Sequence, residues 1–243
     1  MTRRTTGLAK RAGEALRESP APLDTAVLVF PLFLVYQLGI VSGVRNGADV
    51  VTALLMELVE HDLGNYLLLF GVLLLGYAGL LAALRRSGRF HPRSFLPLLA
   101  ESGLYAVCMG SIILLVIRYV LWFVPVVAIE ALPGRGPLEM LVIAAGAGLH
   151  EEFIFRAGLM GGLAFLLEQR MGRRGAWIVA LVVSSLVFAG VHHLGSSGED
   201  FTLLAFSYRT LAGAYFGVIY QLRGFAVAAW THSLYDLYVL ALV

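Results

Sequence analysis

Two uninterrupted apolar runs constrain this chain more than any other feature of its sequence. Thr25–Val44 and Leu63–Leu84 contain no charged residue, and each is about as long as the ~20-residue helix that crosses the ~30 Å hydrocarbon core of a bilayer. The composition agrees: of 243 residues, 59% are hydrophobic and 14% are charged, and the mean hydropathy is +0.81. A soluble fold has too little polar surface to cover such a chain. The sequence therefore predicts a polytopic membrane protein in contact with the lipid bilayer.

The cysteine count and the charge exclude two other classes of protein. Cys108 is the single cysteine, so a disulfide-stapled secreted scaffold is excluded. The net charge is only +2, and the basic residues stand in short clusters between apolar runs, which argues against nucleic-acid binding. Lys10 is the one lysine among 18 basic residues. We interpret this as the codon bias of a GC-rich genome and expect a bacterial inner (plasma) membrane protein.

Five further apolar segments contain isolated ionisable residues and bring the expected number of membrane helices to seven. The expected fold class is therefore all-α, a polytopic bundle of about seven transmembrane helices with no second domain and no internal repeat. The five segments are Phe95–Phe123, Leu138–Leu167, Gly175–Leu194, Phe201–Tyr220 and Phe225–Val243.

The distribution of basic residues predicts an orientation. With a cytoplasmic N-terminus, thirteen of the 18 basic residues fall in cytoplasmic segments, whereas only Arg45 and Arg135 fall in outer ones. The positive-inside rule then predicts an N-in, C-out topology. The thirteen are Arg3, Arg4, Lys10, Arg11, Arg17, Arg85, Arg86, Arg89, Arg93, Arg170, Arg173, Arg174 and Arg223. The outer segments carry Asp49, Glu57, Glu60, Asp62, Glu199 and Asp200.

The outer segment Val50–Val59 has apolar pairs at Val50/Val51, Leu54/Leu55 and Leu58/Val59. That spacing predicts an amphipathic helix lying at the interface. A packing cover is the simpler interpretation of this helix, and a lid that gates a substrate is the alternative.

Ionisable residues are concentrated inside the last four predicted helices. Each costs about 2.5–3.5 kcal/mol on insertion scales, so it must face the bundle interior and be paired. Such a cluster marks a functional site unless it consists of structural ion pairs. Outside it, we expect Glu101 to pair with Arg118 or Arg209 or to lie at the interface. The cluster comprises Glu151, Glu152, Arg156, His192, His193, Arg209, His232 and Asp236.

The spacing of the acidic residues separates two roles. Glu152 and Arg156 are four apart and share a helix face, which predicts a structural ion pair. Glu151 lies about 100° around the helix from Glu152 and has no cation close to it in the sequence. We therefore expect Glu151 to have a separate, functional role.

The histidines follow the same one-turn spacing. His232 lies four residues before Asp236, and Phe188 lies four before His192. His232 and Asp236 can point into one cavity or form only a helix-packing hydrogen bond, and Phe188 lies on the same helix face as His192. One of His192 and His193 can be solvated at a helix end. Small residues at Ala144–Gly148, Gly158, Gly161 and Gly162 predict close approach of neighbouring helices.

A carboxylate and a histidine that share a water can act as a general base, which describes hydrolysis without a covalent nucleophile. Zinc is the competing interpretation, because His and Glu are zinc ligands. The H-E-x-x-H pattern begins at His150 but has Ile154 at its last position. Asp236 offers an acceptor for only one histidine, which also disfavours zinc. We expect no cofactor. The loop Gly195–Gly198 contains two serines, but it lies in an acidic outer segment and not at the start of a helix. We therefore give little weight to a serine intramembrane protease.

Three motifs resemble those of the CPBP family, the CAAX-type prenyl endopeptidases and bacteriocin-processing or self-immunity proteins. The family pattern is E-E-x-x-x-R, then F-x-x-x-H, then H-x-x-x-N or D, on separate membrane helices. Here the motifs read Glu151-Glu152-Phe-Ile-Phe-Arg156, Phe188-Ala-Gly-Val-His192 and His232-Ser-Leu-Tyr-Asp236. The ordered set is more specific than any one motif, and the resemblance covers residues 138–243.

The resemblance implies a role for each of these residues. Glu151 would be the base that activates water, assisted by His192, and His232 and Asp236 would stabilise the oxyanion. Asp236 departs from the usual asparagine, and an ionised aspartate cannot donate a hydrogen bond, so it would instead orient His232 or be protonated. Glu152, Arg156 and Phe188 would support the site, and His193 is not part of the pattern.

The resemblance also implies a function and a domain organisation. It predicts a glutamate-type intramembrane endopeptidase acting near the C-terminus of a membrane-associated protein or peptide, in processing or in removal of a sorting tag. The rival is a non-catalytic transporter or an immunity or scaffold protein. The expected parts are a basic cytoplasmic segment at 1–22, three membrane helices at 23–137 with the amphipathic segment at 48–62, and a four-helix catalytic core at 138–243.

Overall fold

The computed structural model describes residues 20–44, 50–86, 88, 90–121, 136–194 and 198–242. Within these ranges every regular element is helical, which confirms the all-α class. The helices are α1 (Pro22–Val41), α2 (Val50–Leu58), α3 (Leu63–Leu84), α4 (Phe95–Tyr119), α5 (Pro137–Gly146), α6 (Gly161–Val191), α7 (Leu203–Arg223) and α8 (Phe225–Leu242). A 3₁₀ turn, Pro92–Ser94, precedes α4, and two π-helical segments, Ala147–Glu151 and Phe153–Met160, join α5 to α6.

Four of the described helical stretches are long and apolar enough to cross a membrane. These are Pro22–Val41, Leu63–Leu84, Pro92–Tyr119 and Pro137–Val191. Gly172 interrupts the last one with a φ of 74°, which glycine adopts without the usual steric cost. The chain on each side of Gly172 is long enough for one span at about 1.5 Å per residue, as Leu138–Leu167 and Gly175–Leu194 require. Helices α7 and α8 are not among the four, so the count of seven spans stays a prediction.

Some sequence-based expectations lie outside the described residues. These are residues 1–19 of the basic segment, 48 and 49 of the amphipathic segment, 122 and 123 of the third expected helix, 195–197 of the serine-containing loop, Val243, and Arg45, Arg89 and Arg135.

Tyrosine hydroxyls hold α3 antiparallel to α1. Tyr66 donates to the backbone carbonyl of Gln37 at 3.1 Å, near the end of α1, and Tyr77 donates to the carbonyl of Ala26 at 2.6 Å, near its start. The other face of α3 exposes large aliphatic side chains such as Leu68. A helix of this kind suits a position between the bundle and lipid.

Two glycines just before the first motif, Gly146 and Gly148, permit close contact with neighbouring helices. A Cβ atom at Gly148 would overlap the Ser233 hydroxyl and the Ala229 carbonyl of α8, and one at Gly146 would overlap the ring of Tyr36. At Gly162 nothing lies within 4 Å, so the expectation of close packing is confirmed at Gly146 and Gly148 and wrong at Gly162.

An ion pair joins the start of α4 to the end of α7. Arg223 donates to both carboxylate oxygens of Glu101, at 2.6 and 3.0 Å. The expectation that Glu101 pairs with Arg118 or Arg209 is wrong. Because α4 and α7 run antiparallel, the start of α4 lies beside the end of α7, whereas Arg209 lies in the first half of α7.

Candidate active site

The two acidic residues of the first motif lie where the helix is wound as a π-helix. Glu151 ends the segment Ala147–Glu151, and Glu152 stands between it and Phe153–Met160. π-helical turns are rare and often occur at functional sites. The 3.6-residue period assumed from the sequence does not describe this stretch, although both carboxylates still point into the bundle, where they are buried.

Glu152 and Arg156 form the ion pair that their spacing predicts. Nε of Arg156 lies 3.1 Å from Oε2 of Glu152, and both side chains are fully buried. The guanidinium carbon of Arg156 lies 4.9 Å from the ring centre of Phe188 and 5.9 Å from that of Phe216. Aromatic faces stabilise a buried cation in this geometry, which gives Phe188 a supporting contact that its spacing did not indicate.

Glu152 also binds His232, a contact that the sequence analysis missed. Nδ1 of His232 lies 2.9 Å from Oε1 of Glu152. A carboxylate accepts this hydrogen bond, so Nδ1 carries the proton. The ring of Phe216 stacks on the imidazole with 4.3 Å between centroids. The expectation that Asp236 orients His232 is therefore incomplete, because Glu152 makes the orienting hydrogen bond.

Glu151 faces the outer ring nitrogens of both motif histidines. Its Oε2 lies 3.6 Å from Nε2 of His192 and 3.9 Å from Nε2 of His232. Both distances exceed direct hydrogen bonds and suit groups that share a bridging water. Nδ1 of His192 donates to the carbonyl of Phe188 at 2.7 Å. In a neutral ring Nε2 is then an acceptor, like the carboxylate of Glu151, so a donor such as a water must lie between them.

Asp236 lies on the more open side of the cluster. Its Oδ2 is 3.7 Å from Nε2 of His232, and its side chain is 25% exposed, whereas that of His232 is 5% exposed. The structure thus brings Glu151, His192, His232 and Asp236 together from three different segments of the chain.

His193 points away from this cluster. Its Nδ1 donates to the carbonyl of Glu199 at 3.0 Å, and its ring contacts Phe201. The backbone N–H of Glu199 in turn donates to the carbonyl of His192 at 2.9 Å. The second histidine therefore helps to hold the loop after α6 against the end of that helix.

Glu199 continues the contact to α7 through Arg209. Nε and Nη2 of Arg209 donate to the two oxygens of Glu199 at 2.9 and 3.4 Å. Burial acts to raise the pKa of Glu199, but the hydrogen bond and the charge of Arg209 outweigh it and hold that pKa below its usual range. The partner of Arg209 is thus an acid, as expected, although the sequence did not identify which one.

The described residues contain no group of three His, Cys, Asp or Glu side chains arranged to hold a metal ion. One reason given against zinc is nevertheless wrong. Asp236 is not the only acceptor for a histidine, because His192 donates through Nδ1 to Phe188 and His232 donates to Glu152.

Comparison with protein families gives a match for the part of the chain that contains the candidate site. Residues 133–238 match the model of the type II CAAX prenyl endopeptidases, Rce1-like. The match covers a little under half of the chain and includes all three motifs. No curated protein and no solved structure gives a significant match.

Proposed function

We propose, because residues 133–238 match the Rce1-like family model, that the chain is an intramembrane endopeptidase of the CAAX protease family that uses water activated by Glu151. The observation that carries the proposal is the position of the Glu151 carboxylate, within 4 Å of Nε2 of both His192 and His232. The substrate is a membrane-associated protein or peptide, cleaved near its C-terminus.

Glu151 and His192 would activate the water together. A water between them donates one hydrogen bond to the carboxylate and another to Nε2 of His192, so a lone pair on its oxygen faces the substrate carbonyl. Glu151 accepts the proton as the new C–O bond forms and passes it to the leaving amine. General-base catalysis of this kind contributes about 10²–10⁴-fold. No covalent intermediate with the protein is needed.

His232 would stabilise the oxyanion. Its Nδ1–H is engaged with Glu152, so donation through Nε2 requires an imidazolium ring with both nitrogens protonated. Three carboxylates, those of Glu151, Glu152 and Asp236, lie within 4 Å of this ring and favour its positive charge. A donor fixed before the reaction is worth about 10²–10³ in rate when it faces the developing charge.

Cleavage of two membrane-anchored peptide pools tests this proposal, one ending in a prenylated cysteine tripeptide and one in an unmodified membrane-anchoring segment. The purified protein is assayed in liposomes by mass spectrometry, in water enriched in ¹⁸O. We expect one ¹⁸O in the new carboxyl group. Glu151→Gln and His192→Ala should lose cleavage while staying folded, and Glu168→Gln, the same change at an exposed glutamate, should keep it. Full activity of Glu151→Gln would contradict the general-base role.

The same variants address the non-catalytic alternative, a transporter or an immunity or scaffold protein that uses this polar cluster. If wild-type protein and Glu151→Gln leave both pools uncleaved, the hydrolytic proposal fails and the non-catalytic alternative replaces it.

A further inference from the structure

The exposure of the candidate site increases toward one end of the helices. Glu152 is fully buried and Glu151 is 7% exposed. Along α8, exposure rises from His232 to Asp236, one turn closer to the C-terminus. At the start of α7, the side chains of Glu199 and Arg209 are each 37% exposed. The site therefore opens at the end of the bundle that carries the loop between α6 and α7.

The length of α6 places this opening far from the basic turn at Gly172. His192 follows the last residue of α6, twenty residues after Gly172. At a rise of about 1.5 Å per residue these residues span about 30 Å, the thickness of the hydrocarbon core. Arg173 and Arg174 therefore lie at one side of the core and His192 lies close to the other.

The start of α4 and the end of α7, which lie away from the opening, are joined by buried polar contacts. The Glu101–Arg223 ion pair lies there with both side chains only 10% exposed. Tyr105 donates to Glu101 at 3.0 Å, and Tyr215 donates to the backbone carbonyl of Tyr105 at 2.9 Å. These contacts join the two helices on the side away from the opening.

The charges of the described residues differ between the two ends. Basic residues prevail at the end away from the opening, which carries Arg85, Arg86, Arg93, Arg170, Arg173, Arg174 and Arg223 against Asp24, Glu101 and Glu168. Acidic residues prevail at the open end, which carries Glu57, Glu60, Asp62, Glu139, Glu199 and Asp200 against Arg118 and Arg209. The positive-inside rule assigns the basic end to the cytoplasm.

We infer that the candidate active site opens on the extracytoplasmic side of the membrane. Its substrate is then a membrane-anchored protein whose scissile bond lies at the outer surface, and not a lipidated C-terminus in the cytosol, which would have to cross the hydrocarbon core to reach Glu151. This inference rests on the proposed function for its substrate and on the structure and the charge distribution for its direction.

Cysteine accessibility tests the direction without any assay of activity. In a Cys108→Ala background, Leu194→Cys places a thiol two residues after His192, and Met171→Cys places one beside Gly172; both native side chains are exposed. A membrane-impermeant maleimide added to intact cells should label the cysteine at 194, whereas the cysteine at 171 should react only after permeabilisation. The reverse pattern, or equal labelling of both in intact cells, would overturn the inference.

A pair of reporter proteins tests the substrate class. The peptide cleaved in the liposome assay is fused on the outer or the inner side of a single membrane span, with the same linker. Cleavage of the outer fusion alone is expected, and cleavage of the inner fusion overturns the inference. If neither fusion is cleaved while the labelling pattern is as expected, the proposed function fails but the direction of the opening stands.

Discussion

Oε1 of Glu152 accepts a 2.9 Å hydrogen bond from Nδ1 of His232, while Oε2 of the same carboxylate lies 3.1 Å from Nε of Arg156. One buried carboxylate thus both neutralises the arginine of the first motif and sets the tautomer of the histidine of the third. The spacing of Glu152 and Arg156 predicts only a structural role for Glu152, but Glu152 also orients the imidazole ring of His232.

Glu152→Gln should lower both stability and activity. The variant leaves Arg156 as a buried cation without its counter-charge, and breaking a buried pair in this way costs about 3–5 kcal/mol in soluble proteins. Thermal unfolding in detergent and peptide cleavage at a temperature where both proteins are folded measure the two effects. Glu168→Gln serves as the control, and an unchanged melting temperature of Glu152→Gln would show that the pair is not stabilising.

Asp236→Asn should keep activity within about tenfold, because the carboxylates of Glu151 and Glu152 still lie within 4 Å of His232 and favour its positive charge. Asp236→Ala, which also removes the polar group beside Nε2 of His232, should lose more. An asparagine amide can donate where an ionised aspartate cannot. The ratio of kcat values for the three proteins is the measurement. A loss in Asp236→Asn as large as that in Asp236→Ala would show instead that the negative charge beside His232 is required.

The Glu199–Arg209 pair should contribute stability that is lost in acid. The pKa of Glu199 lies below its ordinary value, so the ionised form is favoured by folding. Its contribution is complete above the ordinary glutamate pKa of about 4.3 and disappears as pH falls through the lower pKa of the folded state. For an exposed pair the size is about 0.2–1 kcal/mol.

The difference in melting temperature between wild type and Glu199→Gln, measured from pH 7 downward, tests this contribution. We expect a small difference at pH 7 that vanishes in acid. A difference that grows as the pH falls would contradict the assignment.

Gly148→Ala should destabilise the protein by about 1–3 kcal/mol, as overpacking does. The added methyl group would overlap Ser233 and Ala229, whereas Gly162→Ala meets open space and should be neutral or stabilising because alanine favours the helix. The matched pair of melting temperatures separates the contact from the general effect of removing a glycine. Equal shifts in the two variants would mean that α8 does not approach Gly148 closely.

Activity should survive exhaustive chelation, and the purified active protein should contain no stoichiometric zinc. Elemental analysis of the same preparation that is assayed gives this result directly. About one zinc per chain, with activity lost on its removal and restored on its return, would make Glu151, His192 and His232 ligands.

The sequence predicts contacts within one helix far better than contacts between helices. The Glu152–Arg156 pair follows from a spacing of four, because helical residues at that distance are neighbours. The contact between Glu152 and His232 joins residues 80 positions apart, and the Glu101–Arg223 pair joins residues 122 apart. Such pairs depend on how the helices pack, which no local period encodes.

The π-helical winding of the backbone could not be predicted from the sequence pattern either. Apolar and polar positions between Ala147 and Met160 are compatible with an α-helix, and no residue in the pattern marks the π-helical turns that the structure has there. The segment still brings both Glu151 and Glu152 to His232. The two acids thus belong to one cluster, although the α-helical period used to separate their roles does not apply here.

The direction in which Glu151 points depends on the number of residues in the π-helical stretch as well as on their types. A π turn accommodates one residue more than an α turn, so removing a single residue between Ala147 and Met160 would let that stretch rewind as an ordinary α-helix. The helices on either side would keep their relative orientation, because an α turn makes the same rotation with one residue fewer. The side chains inside the stretch would change direction instead, and Glu151, which now faces His192, is one of them. A substitution in this stretch changes one side chain, whereas a one-residue deletion changes the direction of several side chains at once.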